Sequence, residues 1–277
     1  MTLILAGDVM LGRGVAQALD GDWEAAFADV RPWLGAAQAL AFANLESPLT
    51  TLPQVREGYD LRALPQAVAA LQAAGFDAVS LANNHALDAG EAGLRETART
   101  LRKAGIIPWL EGASTPMEET QPILGLAFDD STVPLDLAAA SADVAEAATQ
   151  GPVVVVSIHW GGEYQAAPSV RQQAVARALA EAGATLIAGH GPHVPQRIEW
   201  IDDTLVAYSL GNFLFDQRHP LDCRWGVILR VTLQDAQIVG VEAIPTVTKD
   251  ERVRRADQAT TSAILERLGL EMDQEVE

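Results

Sequence analysis

Short apolar runs alternate with helical stretches along most of this chain, and the apolar runs end in polar clusters. The runs are Leu3–Gly7, Leu40–Asn44, Ala78–Ala82, Ile123–Phe128, Val153–His159, Thr185–Gly189 and Thr204–Ser209. Their continuity, rather than a polar–apolar alternation, is expected of strands covered on both faces. Between them the sequence predicts helices over Trp23–Leu34, Pro65–Ala74, Gly90–Ala104 and Val170–Ala182, with Pro65 at a helix start and Gly105 as a stop. This alternation specifies an α/β architecture. Beyond Arg224 the pattern changes. Trp225–Leu233 and Gln237–Ile244 read as a hairpin turning at Gln234-Asp235, followed by a charged stretch with a helix near Ser262–Leu268 and an acidic tail, Glu271–Glu277. The expected division is residues 1–248 as one domain and 249–277 as a C-terminal helix and tail.

Composition narrows the function classes. With 49% hydrophobic residues the chain can bury a sizeable core. Its 37 acids against 19 bases, a formal charge of −18, disfavour nucleic acid and anionic lipid as partners. No apolar run is long enough for a membrane span, and Met1–Asp8 has no basic start of the signal-peptide kind. The single cysteine, Cys223, excludes an internal disulfide. Cytoplasmic residence is the expectation.

Chemistry gathers where the apolar runs stop, the place where open α/β sheets hold ligands. The clusters are Gly7–Arg13, Asn44-Leu45-Glu46, Asn83–Asp88, His159–Glu163, Gly189–His193 and Ser209–Phe213. Singly, each has a plain structural explanation: an aspartate that caps a helix, an asparagine in a turn, a hydrogen-bonded histidine. Jointly they do not. Of five histidines, only His219 lies outside these clusters. Imidazole, carboxylate and amide oxygen form the ligand set of Zn, Mn or Fe, and burying so many polar groups is costly without a partner.

In this order the clusters resemble the CapA-like family of capsule (poly-γ-glutamate) synthesis proteins, a family related to the calcineurin-like metallophosphoesterases. The resemblance runs from Leu3 to about Asp216. It implies a four-layer α/β/β/α sandwich of the metallophosphoesterase type, with a divalent metal centre at one edge. It also implies roles for individual residues. Asp8 would bind a first metal, Glu46 (or less well Asn44) would bridge, and Asn84, His159 and His190 would hold a second metal. His193 would return to the first, and His85 would face the reacting group. Two departures fall on the first metal site. Met10 stands where the phosphoesterases carry a histidine, and two residues rather than one separate His190 from His193. One firm metal and a weaker second is the resulting expectation.

The implied activity is metal-dependent hydrolysis of a phosphoester or of a peptide or γ-glutamyl amide. Asp8 and His85 or His193 would serve as the acid–base pair, and Arg13 and Arg62 would hold a substrate carboxylate or phosphate. For Arg62 a surface salt bridge is an equal alternative. The competing readings are a peptide epimerase using the same groups and a metal-stabilised scaffold within a capsule-synthesis complex.

Overall fold

A computed structural model of the protein describes residues 1–35, 39–117 and 123–270; the acidic tail lies outside them. Each expected strand is present, in chain order β1 (Thr2–Val9), β2 (Ala39–Leu45) and β3 (Ala78–Ser80), then β4 (Ile107–Trp109) and β5 (Thr115–Pro116). They continue as β6 (Ile123–Asp129), β7 (Val153–His159), β8 (Leu186–His190), β9 (Ile198–Ile201), β10 (Thr204–Ala207) and β11 (Asn212–Leu214). The hairpin is β12 (Trp225–Gln234) with β13 (Gln237–Lys249), and β14 (Arg252–Arg255) lies at its edge. The helices are α1 (Arg13–Leu19), α2 (Arg31–Leu34), α3 (Val68–Ala74), α4 (Gly90–Lys103), α5 (Leu137–Gln150), α6 (Val170–Glu181) and α7 (Gln258–Leu268).

Two of these differ from expectation. The helix expected over Trp23–Leu34 is broken into a 3-10 turn at Trp23–Ala26 and the single turn α2. Pro32 cannot sit inside a helix, so the chain restarts with proline in the first turn. The helix α5 is absent from the expected set, because its stripe is alanine with few large apolar residues. Its start is legible, since the Asp136 carboxylate accepts from the backbone N–H groups of Ala138 and Ala139.

The strands form two mixed sheets. One runs β14-β13-β12-β1-β2-β3-β4, with β11 also pairing β1, and the other β5-β6-β7-β8-β10-β9. Strands β1 to β4 are mutually parallel, as are β6, β7, β8 and β10. Alternate residues explain why the runs are apolar on both faces. Leu3, Leu5, Phe42, Val153, Val155 and Val227 fill the layer between the sheets. Ile4, Ala6 and Ala41 turn outward onto α3 and α4, packing with Leu71 and Leu101. Leu126, Val154 and Val156 do the same with Val144 of α5 and Val175 of α6. From the C-terminal segment, β14 pairs with β13, and Ile264 and Leu268 of α7 are buried in the inter-sheet core.

Register places the chemistry. Across the first sheet Asn212, Asp8, Asn44 and Ser80 stand side by side. Across the second, Asp129, His159 and His190 do. A close approach delivers Asp8: a Cβ on Gly7 would lie 1.9 Å from the Gly211 carbonyl oxygen, and the Asp8 N–H donates to that oxygen at 2.9 Å.

Candidate metal centre

The two rows face each other where both sheets end, and the side chains they present are buried. Asp8 and Glu46 are 0% exposed, and His159, His190 and His193 are at most 3% exposed. One oxygen of Asp8, one of Glu46 and one nitrogen of His193 all lie within 4.8 Å of one another. Glu46 is at the middle. Its Oε1 is 3.7 Å from His159 Nε2 and 3.7 Å from His193 Nε2. Neither carboxylate oxygen of Glu46 has a hydrogen-bond donor among the described residues, and His159 Nε2 has no hydrogen-bond partner among them. Buried polar groups are almost always paired, so this convergence calls for positive charge.

Asp8 is held from several sides. Its Oδ1 accepts from the Asn44 side-chain amide at 2.9 Å and its Oδ2 from the Gly191 N–H at 3.3 Å. His190 Nδ1 is 3.1 Å from Oδ1, in ion-pair reach but without hydrogen-bond geometry, and His193 Nδ1 is 3.2 Å from Oδ2. Burial alone would raise the Asp8 pKa, but the two histidines hold it well below the usual carboxylate range. A buried amide chain extends the network, from Asn83 Nδ2 to Asn44 Oδ1 at 2.9 Å. The turn joining the last two histidines is conformationally demanding. Gly191 has φ +103° and His193 φ +60°, a left-handed setting that costs a non-glycine residue on the order of 1 kcal/mol or more.

The other sequence-predicted residues are placed as follows. Asn84 Oδ1 is buried without a hydrogen-bond partner among the described residues. His85, in the same turn, is braced by Asp88, with Nδ1 2.8 Å from the buried carboxylate. Arg62 is clasped by Asp60 through Nε at 2.8 Å and Nη2 at 2.7 Å, and its remaining nitrogen donates to the Leu52 carbonyl. Arg13 is paired with Asp216, and its guanidinium lies 5.9 Å from the Phe215 ring, which in turn tilts against His193. Met10 is fully buried, and its sulfur accepts from the Gly12 N–H at 3.1 Å. Trp160 is a core residue, its indole N–H bonded to the Tyr208 carbonyl.

Asp129 and Ser131, outside the polar clusters of the sequence, and Asn212, inside the Ser209–Phe213 cluster but given no role there, surround the histidines. Asp129 Oδ1 is 3.7 Å from His159 Nδ1, and Ser131 Oγ is 3.1 Å from the same nitrogen. Asn212 Oδ1 is 2.9 Å from His193 Nδ1. Asp129 ends an apolar run as the other site residues do, which was the available signal. Beside them opens a cleft of about 580 Å³ that Asn83 and Asp129 help to line.

Burial pulls the His159 pKa down, but Asp129 and Glu46 outweigh it and push it up to about 10. His193 is pushed up to about 9 by Glu46 and Asp8 against the same burial. Both lie above the ordinary 6.5. The stabilisation of the metal-free fold by these imidazolium groups is therefore complete below pH 6.5 and is lost as pH rises through 9 and 10. At pH 7 a divalent cation would have to displace these protons. Metal binding is expected to release protons at pH 7 and to tighten as pH rises toward 9. Calorimetry of Zn or Mn binding in buffers of different ionisation enthalpy measures this, and no proton release at pH 7 would contradict it.

Comparison with known proteins gives a consistent result. The family model described as "Bacterial capsule synthesis protein PGA_cap" matches residues 2–133 and 108–217. The chain is 31% identical over 239 residues to the PGA biosynthesis protein CapA of Bacillus subtilis, a match covering 76% of this chain and 62% of that protein. It thus spans about three fifths of that relative's length. It is 28% identical to the "Probable polyglutamine synthesis accessory protein" of Mycobacterium tuberculosis, covering 94% of this chain and 88% of that one. The fold is similar to the crystal structure of a hypothetical protein from Thermus thermophilus, at TM-score 0.58 and 18% identity over 88% of this chain and 98% of that one.

Proposed function

This chain belongs to the bacterial capsule synthesis protein family, and from that premise we propose that it is a metal-dependent hydrolase of capsule or envelope polymer metabolism. Its substrate would be a peptide or γ-glutamyl amide, or a phosphoester. The observation that carries the reading is Glu46, a buried carboxylate without a donor among the described residues, flanked at 3.7 Å by two imidazole Nε2 atoms. The two facing sheets with helices on their outer faces support the four-layer arrangement of the metallophosphoesterase type.

The donor set fits a divalent ion such as Zn, Mn or Fe, being imidazole, carboxylate and amide oxygen without thiolate. Asp8, Glu46 and His193 would hold one ion, and Glu46, His159, His190 and Asn84 would hold another. Met10 offers no ligand at the first site, since its sulfur is engaged with the Gly12 N–H, which supports one firm ion and a weaker second. A divalent ion bound there supplies Lewis acidity toward a carbonyl or phosphoryl oxygen and a lowered pKa for bound water.

The chain's own groups supply the rest. Asp8, kept ionised by its neighbours, can accept a proton from an attacking water or serve as ligand. His85 is partly exposed and fixed by Asp88, so its Nε2 is free to protonate a leaving group. The adjoining cleft bears Glu91, Glu111, Asp129, Asp136 and Asp143 against Arg56. An anionic substrate group is therefore drawn to the metal centre and not to the cleft wall.

Membership of the family and the likeness to an accessory protein support a place in a polymer-synthesis complex. No described helix is long and apolar enough to cross a membrane. The deciding experiment is a screen of γ-glutamyl peptides, phosphoesters and chiral peptides with added Mn or Zn. Metal-dependent bond cleavage is expected. Racemisation without cleavage would favour the epimerase, and tight metal binding with no turnover would favour a scaffold.

A further inference from the structure

Hydrogen-bond polarity around the two histidines nearest Glu46 is decided by groups that can act in only one way. Asp129, as an ionised carboxylate, accepts and does not donate. Its Oδ1 lies 2.5 Å from Ser131 Oγ and also takes the Ser131 backbone N–H at 2.9 Å. The serine hydroxyl hydrogen therefore goes to Asp129. Ser131 Oγ is left as an acceptor for His159 Nδ1–H at 3.1 Å.

The same logic, with different residues, applies to His193. The Asn212 side-chain nitrogen sits 2.8 Å from the Cys223 backbone carbonyl, which can only accept, and 2.8 Å from Gln217 Oε1. That fixes which end of the amide is oxygen. Asn212 Oδ1 then faces His193 Nδ1 at 2.9 Å and accepts its hydrogen, with the Asp8 carboxylate Oδ2, also acceptor-only, at 3.2 Å from the same nitrogen.

From these contacts we infer that Ser131, backed by Asp129, and Asn212 are positioning residues that lock His159 and His193 with hydrogen on Nδ1. Each leaves its Nε2 aimed at the same oxygen, Glu46 Oε1. The inference rests on the metal reading above and adds the outer groups that make two neutral imidazoles point their lone pairs inward. It also gives a role to the asparagine of the Ser209–Phe213 cluster. Asn212 stands in register with Asp8, one side chain away from the ligand group it serves. On the second sheet Asp129 stands in register with His159. Asp129 thus acts within its own sheet, through Ser131, whereas Asn212 reaches from the first sheet to His193 beyond β8 of the second. The segment bearing Ser131 is itself anchored, since Asp130 receives Arg171 at 2.7 Å and its N–H donates to the His159 carbonyl at 2.8 Å.

The test uses Ser131, which is exposed, so that its replacement leaves the fold intact. Calorimetric titration with Mn and with Zn should show Ser131→Ala binding roughly 10–100-fold more weakly than the parent protein. Ser131→Thr, which keeps the hydroxyl, should recover parent affinity. Long-range ¹H–¹⁵N spectra of the zinc-loaded parent should show Nδ1–H on both histidines, and Ser131→Ala should lose that single form at His159. Asn212→Ala should weaken ion binding less than Ser131→Ala does, because Asp8 Oδ2 at 3.2 Å remains as an acceptor for His193 Nδ1. Equal affinity in Ser131→Ala with a single unchanged tautomer overturns the inference and leaves the metal reading standing. Failure of the parent protein to bind either ion overturns both.

Discussion

Glu46→Gln is expected to weaken Mn or Zn binding by roughly 10²–10⁴, the equivalent of losing one partner of a buried charge cluster at about 3–5 kcal/mol. The substitution keeps the shape and removes the charge. It also brings an NH₂ donor into a space bounded by two imidazole nitrogens at 3.7 Å from Oε1, where a cation is wanted. The fold should persist, because Glu46 contributes no hydrogen bond through its side-chain oxygens among the described residues. In the metal-free variant both imidazoles should titrate lower than in the parent, since Glu46 is among the groups that raise them. Elemental analysis after dialysis, calorimetry and a histidine NMR titration together read these effects. Parent-like metal content and affinity would remove Glu46 from the centre.

His85→Ala should behave oppositely, with turnover falling by about 10²–10⁴ and metal content unchanged. The reason is where its ring is held. His85 N–H bonds Asn83 Oδ1 at 3.1 Å and its Nδ1 bonds Asp88, so the turn aims Nε2 away from the carboxylate that grips it. With Asp88 accepting the Nδ1 hydrogen, Nε2 can take up and give back a proton, as a general acid must. The comparison of steady-state rates and metal stoichiometry separates the roles: if the metal leaves with the ring, His85 is a ligand and Asp8 or His193 becomes the acid–base candidate.

The histidines at strand ends, the two-sided apolar runs and the hairpin after Arg224 were legible because each depends on neighbours in sequence. Val153–His159 is a buried strand at those bounds, since seven consecutive buried positions need no periodicity to be recognised. The short strands β4, β9, β11 and β14 were not legible. Runs of three or four residues, some of them polar, show no period of their own and pair only where a neighbouring strand of the assembled sheet offers an edge. The arginines show the same limit from the other side. Arg13 and Arg62 lie in segments that look built for an anion, and both meet acids of the chain itself: Asp216, 203 positions away, and Asp60, two positions away. The roles of Ser131, and of Asn212 inside the Ser209–Phe213 cluster, were beyond sequence reasoning in another sense. Their importance rests on which lone pair faces which hydrogen, and that is settled only when β6 lies against β7 and β11 against β1.

The rows that face each other belong to different sheets, and this has a mechanical consequence. Asp8 and Glu46 follow from β1 and β2, while His159 and His190 come from β7 and β8. An ion held by both groups would act as a rivet through the joint, adding to the apolar core and to the few polar bonds, such as Gly191 N–H to Asp8 and His193 to Asn212, that already join the layers. Neither layer alone could grip it, so occupancy would report that the halves have met in the right alignment. By mass action an ion at about 1,000 times its dissociation constant would add about 4 kcal/mol to the joined state. A protein fastened in this way would gain its resistance to heat and denaturant from the ion supply, and a chelator would act on it as a solvent for the seam.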